Sequence, residues 1–113
     1  MVREIAGSLP EAEEYTSHSM PSFRVRGKLF VWMSPKREAK GALALRVDRD
    51  EKQLILESNP DVYFETPHYH GYPAVLIKLE KIGGDELAER IEDAWLIQAP
   101  KRLAAKFIEG EAS

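Results

Sequence analysis

The stretch Pro67-His68-Tyr69-His70-Gly71-Tyr72-Pro73 sets a histidine on either side of a tyrosine and a proline at each end. In an extended segment, positions 68 and 70 project the same way, so both imidazoles can converge on one ligand. A metal held there needs further donors. With three histidines and no cysteine in the chain, His18, Asp61 and Glu65 are what remains, at no recognisable ligand spacing. An acid–base pair needs an orienting group and a nucleophile, yet there is no thiol, and Ser34 and Ser58 stand in ordinary turn contexts. The residues favour a stiff aromatic turn in which Gly71 releases the chain and each imidazole bonds backbone or water. No metal, cofactor or catalytic residue is expected. Polar rings on a turn can still offer a surface, so the alternative reading is a small-molecule or peptide pocket of His68, Tyr69, His70, Tyr72 and Arg102.

A second set of residues suggests phosphate chemistry. Arg24, Arg26 and Lys28 alternate with Phe23, Val25 and Leu29, and a period of two puts the three cations on one face of a hairpin. A cationic ribbon can run along phosphates or enter a groove. Lys36, Arg37 and Lys40 extend the positive region, and Lys101, Arg102 and Lys106 form a third cluster. Lys101 and Arg102 adjoin an expected helix N-terminus, where the dipole disfavours cations, which leaves them for an external anion or a carboxylate elsewhere in the fold. Gly83-Gly84 is followed by Asp85, so no phosphate-cradling P-loop exists.

These residues must be positioned by a chain of 113 residues, long enough for one domain with its own core and without staples. At 43% hydrophobic and 31% charged residues, the composition is that of a folded globule. Net charge is −3, divided unevenly: −3 over residues 1–20, +4 over 21–60 and −4 over 61–113. The sequence pI of about 5.6 argues against strong DNA binding, so any such binding is expected to be weak and salt-dependent. The opening stretch turns acidic before an apolar run develops and no long apolar run follows, so a cytoplasmic location with no membrane partner is expected.

Local patterns predict a helical turn over Val2–Gly7. A second helix is expected up to about His18, since Ser8 and Glu11 have capping-box spacing and Pro10 suits a first turn. A hairpin follows around Arg26-Gly27-Lys28, then a strand over 42–47 with Leu43, Leu45 and Val47 on one side. A helix from Asp48 to about Glu57, a strand from Ala74, an amphipathic helix after Gly83-Gly84 and a final helix from Pro100 complete the chain. The class is α+β, a small antiparallel sheet flanked by helices.

Three stretches together resemble the MmcQ/YjbR family: Pro21-Ser-Phe-Arg-Val-Arg-Gly-Lys28, Pro67-His-Tyr-His-Gly71, and residues 85–105 with their Ala-Trp-x-x-x-Ala-Pro-Lys-Arg-Leu ending. In one register they span nearly the whole chain as one domain. The resemblance implies a compact "double wing" fold and a non-enzymatic DNA-binding-like role, in a family whose proteins are mostly uncharacterised bacterial ones. On this chain the basic wing would be Arg24, Arg26 and Lys28, joined by Lys101 and Arg102. The family brings no catalytic residues.

Overall fold

A computed structural model describes residues 2–17, 20–34 and 41–112. The expectations for His18 and for Lys36, Arg37 and Lys40 fall outside the described residues. The elements run α1 (Val2–Gly7), β1 (Ala12–Ser17), β2 (Met20–Val25), β3 (Lys28–Met33), β4 (Leu43–Arg46), α2 (Lys52–Ser58), β5 (Tyr63–Phe64), a 3-10 turn (Pro67–Tyr69), β6 (Ala74–Ile77), α3 (Gly84–Gln98) and α4 (Lys101–Ala112). The six strands form one sheet in the order β1-β2-β3-β4-β6-β5, each pair antiparallel.

The β2–β3 turn follows its expected chemistry. Val25 pairs with Lys28, leaving two loop residues, and both Arg26 (φ 50°) and Gly27 (φ 82°) are left-handed, as a tight hairpin twisted to match its strands requires. A side chain at 27 would meet open space. Gly27→Ala should therefore lower stability by about 1–2 kcal/mol through backbone strain alone, measurable by urea denaturation.

Where a helix is expected to follow Ser8, the chain forms β1. The Ser8 hydroxyl donates to the Ile5 carbonyl at 2.8 Å, so it closes α1 instead of opening a new helix. Glu11 is left-handed (φ 56°), which stops any helix there. From Ala12 on, side chains alternate and the segment is captured as the partner of β2. The Trp95 indole donates to the Pro10 carbonyl (3.0 Å), and Arg3 grips Glu14 through two bonds of 3.0 and 2.8 Å, so this corner is pinned on both sides.

The register defines two faces. On the first, Phe23, Val31, Leu45 and Val75 line up across neighbouring strands and join Ala6, Ile55, Leu87, Ile91 and Trp95 in the main core, with Leu103 and Phe107 of α4 packed against it. All four helices contribute to this side. On the second face one continuous row runs Tyr15, Ser22, Trp32, Ala44, Leu76, Phe64. An irregularity in β3 makes the two rows possible. Phe23 pairs with Val31 but Arg24 with Leu29, so Phe30 is an extra residue and both Phe30 and Val31 are buried in the main core. The alternation of β3 changes phase there, bringing Trp32 onto the second face.

Candidate functional site

The second face carries the Pro67–Pro73 motif. Ala42, Ala44 and Ala74 are small, and with Leu76 they leave a slot that the Tyr69 ring fills at 3% exposure. The Tyr69 hydroxyl donates to Ser34 Oγ at 3.0 Å, a bond sealed from solvent. The segment 65–73 is thus a strap across the sheet, clamped from α2 and the loop before it. Lys52 Nζ lies 2.8 Å from the Tyr69 carbonyl, 2.7 Å from the Tyr72 carbonyl and 2.8 Å from Glu65 Oε1. The two carbonyls accept hydrogen bonds from the ammonium, and its charge pairs with the Glu65 carboxylate. Arg49 donates to the Gly71 carbonyl (2.9 Å), and the Val47 amide to that of Pro73 (3.0 Å). The bond from Lys52, ahead of its charge and that of His70, holds the Glu65 carboxyl below the usual carboxylate range.

This arrangement corrects the alternative pocket. Tyr69 is core, and Arg102 is exposed on α4, which packs on the opposite, first-face core through Leu103 and Phe107. His68 stands edge-on to Tyr69 (centroids 5.1 Å apart) and is exposed. His70 and Tyr72 do share a shallow concavity of about 240 Å³ with Arg49, Lys52, Gln53, Glu65 and Gly71. Its two cations are already committed to strap carbonyls. His70 Nδ1 sits 3.5 Å from Glu65, and among the described residues no three acids or histidines converge as a metal site would need.

The basic hairpin needs a correction too. Paired residues across strands share a face. Arg24 pairs with Glu13 and Leu29, whereas Lys28 pairs with Val25, so Arg24 lies on the second face and Lys28 on the first. Counting by twos fails because it runs through a two-residue turn, which resets the phase. Arg26 occupies that turn and is gripped by both oxygens of Glu11, its Nη2 bond measuring 3.1 Å. That bond draws the Glu11 carboxyl below its ordinary pKa. Lys101 and Arg102 are exposed in the first turn of α4, on the helical side and away from Arg24.

Arg24 keeps its charge available. Its guanidinium lies 5.0 Å from the centre of the Tyr15 ring, its Nε has no hydrogen-bond partner among the described residues, and no carboxylate pairs with it there. By register Arg46 stands on the same face, beside Ala74, with its Nε equally unpartnered. Lys78 lies over the Phe64 ring at 5.6 Å. Trp32 is half-buried and meets Tyr72 edge-on, centroids 6.3 Å apart. The acids of α3, Asp85, Glu86, Glu89 and Asp93, surround a depression on the other side of the sheet. There the Tyr63 hydroxyl donates to Glu86 and accepts from Arg90 Nε (2.9 Å); burial, then the bond to Glu86, raises the Tyr63 pKa. Of the open-face residues, Arg24 and Tyr72 are expected from the sequence, whereas Tyr15, Trp32, Arg46 and Lys78 are not. Tyr15 is hidden inside a mistaken helix; the signal for it is the alternation of Ala12-Glu-Glu-Tyr-Thr16.

Among the described residues no helix is long and apolar enough to cross a membrane. The YjbR family model matches residues 7–97. The chain is 36% identical over 122 aligned positions to the uncharacterized proteins Mb2600 of Mycobacterium bovis and Rv2570 of Mycobacterium tuberculosis, the match covering 95% of this chain and 92% of each relative. Its fold is similar to that of Deinococcus radiodurans protein DR2400, domain DUF419, with a TM-score of 0.67 at 16% identity, over 85% of this chain and 74% of that one. With a compact α+β fold of this neighbour's type and a family match over most of its length, the chain belongs to the YjbR family.

Proposed function

We propose that this protein is a non-catalytic module that binds DNA weakly through phosphates, using the second sheet face and not the tip of the hairpin. The observation that carries this reading is Arg24, a guanidinium with no carboxylate partner among the described residues, held on an aromatic ring. Charge separation across the sheet supports it. Arg24, Arg46 and Lys78 stand with Glu13 on the second face, while the acids of α3 lie behind the sheet. A net charge of −3 therefore does not describe the field in front of Arg24.

Titration of a short duplex at low and moderate salt tests the proposal. About three cations give a log–log salt slope near −3 at most. Arg24→Glu should weaken binding about tenfold or more at low salt and flatten the slope. At moderate salt, where charges more than about 10 Å apart are screened, Lys101→Glu with Arg102→Glu, on the other side of the molecule, should leave affinity within about twofold. Absence of binding to duplex and single-stranded DNA alike at low salt, or loss of affinity in the α4 variant and none in Arg24→Glu, rules the proposal out.

A further inference from the structure

We infer that the second face takes single-stranded DNA, its unpaired bases stacking on Tyr15 and Trp32 while Arg24 holds the phosphate between them. This rests on the DNA-binding reading above and makes it specific. Tyr15 is 42% exposed and Tyr72 is 45% exposed, and Trp32 lies in the same cross-strand row as Tyr15 with only Ser22 between. The two rings are therefore set two strands apart, about 10 Å at the backbone. Ser22 is small and buried, its hydroxyl turned down onto the Tyr15 carbonyl at 3.2 Å. The two rings thus flank a small, covered residue, with a cation two residues along β2, at Arg24 on the same face.

The shape also argues against a duplex as the preferred occupant. Reading paired bases needs an element that projects into a groove. All four helices pack on the first face, and the one protruding turn has its arginine tied to Glu11. A broad face of rings reaches bases only when they are unpaired, and stacking on an aromatic side chain is then available to any base. Arg24 adds charge beside Tyr15, its guanidinium carbon 5.0 Å from the ring centre and so within cation–π range.

The test compares fluorescently labelled oligo(dT) of about ten nucleotides, oligo(U) of the same length and a duplex, at low salt. The wild-type protein is run beside Tyr15→Ala, Tyr15→Phe and Arg24→Glu, with circular dichroism confirming that each is folded. Expected are binding to oligo(dT) about tenfold tighter than to duplex, and a loss of about tenfold in Tyr15→Ala with its salt slope unchanged. Tyr15→Phe, which keeps the ring, should retain wild-type affinity. Equal or tighter duplex binding that Arg24→Glu weakens and Tyr15→Ala does not would overturn this inference and leave the phosphate reading standing. Tighter binding of oligo(U) would overturn the assignment to DNA. No binding to any probe at low salt would remove both readings.

Discussion

Tyr69→Ala is expected to lower the free energy of unfolding by about 3–5 kcal/mol, the range found when a buried aromatic side chain is deleted and its cavity stays open. The ring is the only aromatic wholly enclosed on the second face among the described residues. It fills a slot made by Ala44 and Ala74, fixed in β4 and β6, and by Ala42 just before β4, whose carbonyl accepts from the Ser34 amide, so the surroundings have little freedom to collapse into the space. Tyr69→Phe separates packing from polarity. It removes only the bond to Ser34 and should cost about 1 kcal/mol. Urea denaturation of both variants measures the difference directly. Equal, small losses for the two would mean that the strap does not depend on this ring.

Lys52→Met should cost about 2–4 kcal/mol. Methionine preserves most of the apolar stem but leaves Glu65 and two carbonyls without their shared donor, and the Lys52 side chain is only 12% exposed. The same cluster sets a pH dependence. The Glu65 carboxyl titrates below its ordinary range because Lys52 bonds it, so its contribution is complete above the unfolded carboxylate pKa. It fades as pH falls through the depressed folded value. Wild-type stability should therefore drop more steeply on acidification than that of Glu65→Gln, which has lost this titration. His70, exposed and 3.5 Å from Glu65, adds a smaller attraction when protonated.

Much of the architecture is written in local patterns. Arg26-Gly27 between alternating apolar residues gives the hairpin, Leu43, Leu45 and Val47 give the buried side of β4, and Leu87, Ile91, Ala94 and Trp95 give the buried stripe of α3. The quoted motif is the tight aromatic turn its residues favour. What failed is non-local. Ser8 and Glu11 have the spacing of a helix start, but Ser8 ends α1, and only pairing with β2 makes residues 12–17 a strand. The split of Arg24 from Lys28 follows from a register set by the turn and by the extra residue in β3. The fit of Tyr69 to Ala42, Ala44 and Ala74 joins positions far apart in the chain, which no periodicity displays. The candidate site therefore exists only where the strands lie side by side.

The central claim, that ligand meets the face bearing Tyr15, Arg24 and Trp32, has a direct readout in the chain's two tryptophans. Trp32 lies half-buried on the second face and Trp95 is fully enclosed in the helix-covered core, its indole bonded to Pro10. In an NMR titration with oligo(dT), the Trp32 indole N–H resonance should move or broaden together with the amides of residues 13–15 and 22–24, while the Trp95 indole stays fixed. A stationary Trp32 signal, with shifts instead along α3, α4 or the turn at Arg26, contradicts the account.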